Sequence, residues 1–293
     1  MKEKILLDTD IGSDIDDAIA LAYLLTHPDC EIVGITTVSG EAEKRSMIAE
    51  VICKQAGKNI PVFPGAEEPI LIEQKQKKCL QSKALPYFNF TKSYPAGEAI
   101  EFMRKTIREN PNQITLLTIG PLTNVALLFK VDPQIPFLLK GMYSMAGWFF
   151  GKDRKVEWNV VCDPHAFYIV NKADIFSHYI GLDVTKKVKM HKDEVIRNFK
   201  KYPLLEAVLK FAEVWFETRE VIIFHDILAA SVIFQKNICN FKRGIVKIDI
   251  ENKENPGKTE FIEMENGKNI VACDVNPETF FSHFFETFEN AEK

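Results

Sequence analysis

Short apolar runs alternate with helix-like patterns through the first half of the chain. The short runs are rich in β-branched residues, which is typical of strands, whereas the longer segments repeat apolar residues at helical spacing. Such alternation predicts an α/β fold with a mostly parallel sheet and helices on both of its faces. The predicted elements are a strand at 4–7, a helix at 18–25, a strand at 32–38, a helix at 47–56, a helix at 99–108, a strand at 114–119 and a helix that begins at Pro121.

The pattern changes towards the C-terminus. Three segments with alternating side chains, at 245–250, 259–264 and 270–273, are separated by Asn-Pro-Gly and Asn-Gly, which are common turn sequences. They predict antiparallel strands appended to the edge of the sheet. Five phenylalanines then fall on one stripe of a helix and predict core packing. These are Phe280, Phe281, Phe284, Phe285 and Phe288.

Residues 65–95 have no clear period and contain the Lys-rich piece 75–78. Long connections without a period usually run over the surface of a protein. We therefore expect a solvated surface excursion here rather than a functional segment.

Composition narrows the classes of function. The chain has 293 residues, a net charge of −4 and a pI near 6.0, which argues against nucleic-acid wrapping or a basic membrane-binding surface. Its six cysteines include no C-x-x-C pair, so we expect reduced thiols in the cytoplasm rather than a disulfide framework or a zinc ribbon. The first apolar run is too short for a secretion signal, and no run is long enough to cross a membrane.

Five aspartates follow the first predicted strand within ten residues: Asp8, Asp10, Asp14, Asp16 and Asp17. No Lys or Arg occurs between Lys4 and Lys44 to balance them. A helix N-terminus accounts for one or two of these acids, but not for five. Carboxylates this close repel unless a cation neutralises them, and a ligand set of oxygens alone favours Ca²⁺ or Mg²⁺. Ligands of open parallel sheets bind at the carboxyl ends of the strands, so we predict a metal site here.

Three further segments are candidate partners of that site. Residues 119–124 lie at another strand-to-helix turn, where Pro121 also suits an ordinary helix start. If residues 157–159 are extended, Glu157 and Asn159 project to the same side and could grip neighbouring sugar hydroxyls, while Trp158 points away. The pair at 225–226, His and Asp, interrupts an apolar run, where buried charge is costly unless it is compensated, so we expect a functional role for this pair.

Taken together, these motifs resemble those of the inosine-uridine-preferring nucleoside hydrolases. The aspartate signature is a variant with two extra residues before the paired aspartates, and the other motifs follow in the family's order. The resemblance implies a single Rossmann-like domain over residues 1–293, a homodimer or homotetramer, and one bound Ca²⁺ that contacts the ribose. The matching segments are 8–18 (DTDIGSDIDDA), 35–38 (ITTV), 120–124 (GPLTN), 157–159 (EWN), 163–164 (DP), 181–185 (GLDVT) and 225–226 (HD).

Residue roles also follow from the resemblance. It implies a metal held by the carboxylates of Asp10, Asp17 and Asp226 and by the backbone carbonyl of Ile119, with Asp8 behind them. It also implies that Asp10 activates a water on the metal and that His225 assists departure of the base. The residues that would hold the ribose hydroxyls are Asp16, Glu157, Asn159 and Asp226. Because cleavage builds oxocarbenium character on the sugar, nearby carboxylates suit this chemistry.

Two departures from the family leave the substrate open. Glu41 stands where the family commonly has Asn, and residues 151–155 replace a longer loop that commonly supplies another Asn near the 5′-hydroxyl. The basic residues Lys152, Arg154 and Lys155 suggest an alternative substrate, a nucleoside carrying a 5′-phosphate or a modified base.

Two other classes of protein stay open beside a nucleoside hydrolase. The strand end at Asp8-Thr9-Asp10 is also similar to the nucleophile loop of haloacid-dehalogenase-like Mg²⁺ phosphatases, but that assignment leaves Asp16, Asp17 and the later motifs without a role. A non-catalytic nucleoside-binding protein is the third possibility. Release of free base would indicate the hydrolase, release of phosphate the phosphatase, and release of neither the binding protein.

Overall fold

The structure is a computed structural model that describes residues 1–91, 93–151, 155–252 and 256–292. It contains a nine-stranded mixed sheet and a separate two-stranded sheet. The strands are β1 (Glu3–Thr9), β2 (Cys30–Thr37), β3 (Val62–Pro64), β4 (Ile114–Thr118), β5 (Gly141–Met145), β6 (Ser177–Ile180), β7 (Lys189–His191), β8 (Val221–Ile223), β9 (Cys239–Asp249), β10 (Lys258–Glu263) and β11 (Asn269–Val275).

Helices cover both faces of the large sheet. Within the described residues, no helix is both long and apolar enough to span a membrane. The α-helices are α1 (Asp16–Thr26), α2 (Ala42–Gln55), α3 (Ala99–Glu109), α4 (Thr123–Val131), α5 (Ile135–Leu138), α6 (Trp158–Cys162), α7 (Pro164–Lys172), α8 (Leu182–Thr185), α9 (Lys192–Phe199), α10 (Pro203–Trp215), α11 (His225–Phe234) and α12 (Pro277–Ala291), and 3₁₀ turns lie at Leu80–Tyr87 and Lys236–Ile238.

The strand order in the large sheet is β10-β9-β11-β6-β5-β4-β1-β2-β3. Strands β3, β2, β1, β4, β5, β6 and β11 run parallel, whereas β9 pairs antiparallel with both β11 and β10. One edge is therefore β10, where Lys258, Glu260 and Glu263 are exposed, and the other is the short β3, which ends at Pro64. The predicted α/β class is confirmed, including the antiparallel strands at the sheet edge.

Burial fits the position of β1 inside the sheet, between β2 and β4. Ile5 and Leu7 face one apolar cluster together with α1, α10, α11 and α12, whereas Leu6 faces a second cluster with α3, α4 and α7. Side chains alternate along a strand, so this continuous apolar run is buried on both faces. The end of β1 is thereby fixed between β2 and β4. The aspartates that follow it therefore lie at the carboxyl ends of the parallel strands.

Most predicted elements appear with shifted ends. The phenylalanine stripe lies on α12, where Phe280, Phe284 and Phe288 are buried. The helix expected to begin at Pro121 begins two residues later, at Thr123, because Leu122 is not yet helical. All six cysteines are free thiols.

The prediction of a solvated excursion at 65–95 is wrong for its central part. Gln74, Gln76 and Gln81 are buried there, and Gln81 bonds to the backbone of the aspartate loop through Gly12 and Asp14. Since glutamines give no periodic signal, the sequence pattern did not reveal this packing.

Candidate active site

A tight turn carries the aspartates from β1 into α1. Gly12 adopts a φ of +107°, a left-handed conformation that glycine tolerates, and a Cβ there would lie 2.4 Å from Cys79 Sγ. Asp16 and Asp17 occupy the first turn of α1, where the helix dipole favours negative charge. Thr9 Oγ1 donates a 2.5 Å hydrogen bond to Asp17 Oδ1, which fixes the Asp17 side chain at the C-terminal end of β1.

Three buried carboxylates converge from two helices. Asp16 and Asp17 of α1 and Asp226 of α11 each offer an oxygen, and these oxygens all lie within 4.8 Å of one another. Burial raises the pKa of Asp226 well above its usual range, and the Asp16 and Asp17 charges raise it further. Burial likewise raises the pKa values of Asp16 and Asp17. The cluster therefore either takes up protons or binds a cation.

Asp10 lies beside this cluster at the end of β1. Gln76 Nε2 donates to its Oδ2, and a hydrogen bond links Asp10 with Asp17. Burial raises the pKa of the Asp10 carboxyl, while the Arg45 guanidinium opposes that rise.

Arg45 is a cation that the sequence spacing did not reveal. Its side chain is 0% exposed, and it donates to the carbonyls of Asp10, Ile11 and Gly40 and to Ser13 Oγ. The guanidinium thus holds the loop backbone, and it offers its charge to the carboxylates without pairing with them directly. The aspartate loop has no Lys or Arg near it in the sequence, but the folded chain brings Arg45 against it.

The segment 157–159 is not an extended strand, so the condition attached to this pair in the sequence is not met. Glu157 is the N-cap of α6, and its carboxylate accepts from the backbone N–H groups of Gly147, Asn159 and Val160 at 2.8–3.2 Å. Burial nevertheless raises the pKa of Glu157 to about 7. Trp158 does not point away: this residue is 52% exposed and lines the same cavity as Glu157 and Asn159. A capped helix start, rather than a strand, brings these side chains together.

Ile119 directly follows β4, and hydrogen bonds hold its backbone carbonyl at the site. The Ile119 N–H donates to the carbonyl of Asp8, and its own carbonyl accepts from Asn159 Nδ2 at 3.2 Å. The same amide donates to the Met145 carbonyl at 2.9 Å. Asn159 therefore connects the ends of β4 and β5 at the floor of the cavity.

His225 is the first residue of α11 and lines the same cavity. Its Nδ1 is 2.7 Å from Thr185 Oγ1 in α8. Burial, with the nearby Lys186 charge, lowers the pKa of His225 to about 4, so the ring is neutral at physiological pH.

Other motif residues support the site from outside the cavity. Asp8 Oδ1 accepts from Thr36 Oγ1 and Asn124 Nδ2, and burial raises the pKa of Asp8 to about 7. Asp163 caps α7 and accepts from Thr123 Oγ1 and from the N–H of Ile70. These residues join the loops that carry the site.

One cavity of about 460 Å³ collects the predicted residues. Asp10, Asp16, Asp17, Ile119, Glu157, Asn159, His225 and Asp226 all line it. The cavity is also lined by residues that no motif marks, Gln76, Met145, Trp215 and Arg219, and by residues that lie in the matched motifs but received no role from the sequence, Ser13, Asp14, Trp158 and Leu182.

The structure describes one of the two departures from the family pattern, Glu41, but only part of the other, the loop at 151–155. Glu41 does not line this cavity; its carboxylate accepts from Lys44 Nζ, Lys78 Nζ and the N–H of Cys79 at 2.8–3.2 Å. These contacts hold its pKa at about 2. Glu41 therefore fastens the 77–79 chain onto α2. Lys152 and Arg154 lie outside the described residues.

The chemistry of the donors fits a hard divalent cation. The cluster offers oxygen ligands only, its three carboxylates are buried, and Arg45 is bonded to backbone atoms instead of to them. Calcium and magnesium prefer such ligands, whereas zinc and copper favour nitrogen or sulfur.

Comparisons with known proteins agree with this arrangement. A family model described as inosine-uridine preferring nucleoside hydrolase matches residues 5–282. Uridine nucleosidase 1 of Arabidopsis thaliana is 27% identical over 269 residues, covering 85% of this chain and 79% of that protein.

Two solved structures share the fold. The purine-preferring ribonucleoside hydrolase from Gardnerella vaginalis superposes with a TM-score of 0.85 at 20% identity, covering 98% of each chain. The inosine-uridine preferring nucleoside hydrolase from Bacillus anthracis gives 0.82 at 21% identity and covers 99% of each chain. At these identities the likeness shows the fold.

Proposed function

The chain belongs to the inosine-uridine preferring nucleoside hydrolase family, and from that premise we propose that it hydrolyses the N-glycosidic bond of a ribonucleoside with the help of a bound Ca²⁺. The observation that carries the proposal is the convergence of all eight site residues predicted from sequence on one cavity beside three buried carboxylates. The products would be free base and ribose.

In the proposed site, Asp10, Asp17, Asp226 and the Ile119 carbonyl would hold the Ca²⁺. A bound Ca²⁺ supplies positive charge that neutralises the carboxylates and makes a nearby water more acidic. Support comes from the raised pKa of Asp226 and its neighbours, because no Lys or Arg among the described residues is bonded to these carboxyls. Calcium rather than magnesium is chosen on the resemblance to the family.

The ribose hydroxyls are assigned to Asp16, Glu157, Asn159 and Asp226. Three backbone donors fix the Glu157 carboxylate in position, so the side chain loses little further freedom when a sugar binds. Its charge also lies where oxocarbenium character would develop. The tolerance for a 5′-phosphate is a weaker alternative, since such a group would meet these carboxylates.

Asp10 is proposed as the base that takes a proton from the attacking water. Its carboxylate lines the cavity, and Gln76 holds one of its oxygens. His225 is proposed to assist the leaving base. Because its ring is neutral at physiological pH, it would do so chiefly by donating a hydrogen bond from Nε2, with Nδ1 turned to Thr185.

The test is a panel of nucleosides and their 5′-monophosphates, scored for free base by chromatography with and without added Ca²⁺. It includes uridine and purine nucleosides, because the matched relatives are named for both. Release of base supports the proposal. Release of phosphate instead would favour the phosphatase alternative, and binding without turnover would favour a nucleoside-binding protein.

A homodimer or homotetramer is also proposed, on the resemblance alone. Light scattering coupled to size exclusion measures the mass directly. A mass equal to the 33.5 kDa of one chain would contradict this proposal.

Substitution His225→Ala should harm substrates with poor leaving groups most. We expect kcat for inosine or uridine to fall by about 100-fold, because assistance to a departing base is worth roughly this much. An activated substrate such as p-nitrophenyl riboside should lose far less, since its leaving group departs without help. Equal losses on both substrates would show that His225 positions the sugar or supports the metal instead.

A further inference from the structure

Gln76 joins the proposed base to the aromatic wall of the cavity. Its Nε2 donates to Asp10 Oδ2, and its Oε1 accepts from Trp158 Nε1 at 2.6 Å. The side chain is buried and lines the cavity. It comes from the 65–95 segment, which none of the family motifs includes.

The orientation of this amide is determined by its neighbours. An indole N–H can only donate, so the Gln76 carbonyl oxygen must face Trp158. The amide N–H₂ must then face Asp10, and an N–H donor favours a carboxylate over a carboxylic acid there. A neutral amide does this without forming an ion pair that would occupy the carboxylate.

The backbone around Gln76 is held from several directions. Its N–H donates to Gln74 Oε1 at 2.7 Å. Beyond it, Glu41 accepts from the N–H of Cys79, and Arg45 Nη2 donates to the Lys78 carbonyl at 3.4 Å. The same Arg45 holds the backbone of Asp10. One buried guanidinium therefore sets the distance between the aspartate loop and the segment that delivers Gln76.

We infer that Gln76 is a positioning residue for hydrolysis. It holds the Asp10 carboxylate where it can take a proton from the attacking water, and it connects that carboxylate to Trp158 at the cavity wall. This inference rests on the proposed role of Asp10 as the base. Trp158 thereby becomes part of the same unit, so a ligand that moves its ring also acts on Asp10.

The experiment measures kcat and KM for a nucleoside and for p-nitrophenyl riboside in four proteins: Gln76→Leu, Trp158→Phe, the double variant and Lys77→Ala. Leucine keeps the bulk of Gln76 without its polar atoms, and phenylalanine keeps an aromatic ring without the indole N–H. Lys77 is the matched control, because it is the next residue in the chain and its side chain is exposed.

Gln76→Leu should lower kcat about 30-fold on both substrates while KM changes by less than about threefold, because misplacing a base affects the reaction more than binding. Trp158→Phe should lower kcat by a smaller factor, about fivefold. The double variant should be no slower than Gln76→Leu, since residues acting as one unit are not additive. Lys77→Ala should match wild type, and bound Ca²⁺ should not change in any variant.

Three results would overturn the inference: a kcat for Gln76→Leu close to wild type, a loss of bound Ca²⁺ that accounts for the defect, or losses in the double variant that multiply. If Gln76→Leu does not fold, Trp158→Phe tests the same connection from its other end, and an unchanged kcat there overturns it. Failure of the proposed function is recognised separately, because wild type itself would then release no base.

Discussion

Substituting Asp10 by asparagine is expected to reduce kcat by about three orders of magnitude, since general base catalysis contributes on this scale. Asparagine keeps the shape of the side chain and one oxygen for a metal, but its amide cannot accept the proton of the attacking water. The loss should be as large for p-nitrophenyl riboside as for a nucleoside, because both need an activated water. Steady-state rates on the two substrates give the measurement.

Asp14→Asn is the comparison variant for this prediction. Asp14 lies in the same loop and lines the same cavity, but its Oδ1 accepts from the N–H of Ile15 at 2.6 Å. We expect it to lose less than about tenfold in kcat, because no role in proton transfer falls to it. Near-normal turnover in Asp10→Asn, with the fold intact, would move the base to another residue.

Removing the metal with a chelator is expected to abolish base release, and added Ca²⁺ is expected to restore it. The purified protein should carry about one Ca²⁺ per chain. Saturation to 100 times Kd stabilises a fold by about 2.7 kcal/mol, which for a chain of this size corresponds to a Tm increase of roughly 4 °C. Elemental analysis and thermal unfolding in EDTA or Ca²⁺ measure both effects.

Asp226→Asn supplies the control for this second prediction. It removes one of three mutually repelling carboxylates, so the metal-free variant should unfold at a higher temperature than metal-free wild type. Ca²⁺ should then raise its Tm little, because a ligand has been lost. Activity that survives chelation, or zinc found in place of Ca²⁺, would contradict the assignment of the metal.

Metal-free wild type should also lose stability as pH rises. Burial raises the pKa of Asp14 to about 6 and of Glu157 to about 7, both above their unfolded values. A group with a raised folded pKa stabilises fully below its unfolded pKa and loses that contribution as pH rises through the folded one. The Tm of the metal-free protein should therefore fall between about pH 4 and pH 7.

Features with a local pattern could be predicted from the sequence. The apolar run at Ile5–Leu7 predicted a strand, the alternation of strands and helices predicted a sheet covered on both faces, and the turn sequences near the C-terminus predicted the antiparallel strands. The clustered aspartates indicated a metal site because charge repulsion is a strong constraint even without a structure. The residues that this reasoning and the resemblance selected all lie at one cavity.

What the sequence did not reveal depends on contacts between distant segments. Arg45 lies on α2 and looks like an ordinary surface residue, yet it is buried against the aspartate loop. Gln76 is flanked by exposed lysines, so the polar run concealed a buried amide. The Glu157 carboxylate also accepts from the N–H of Gly147, ten residues away, and no local pattern shows this contact.

The edges of the large sheet bear on how this protein behaves at high concentration. An exposed, flat edge strand offers unpaired backbone groups to other chains and invites fibril-like stacking. Here β3 is three residues long and ends at a proline without an N–H, while β10 carries exposed charges at Lys258, Glu260 and Glu263. Both edges therefore resist extension by another chain. This lowers the tendency of a concentrated sample to form β-aggregates.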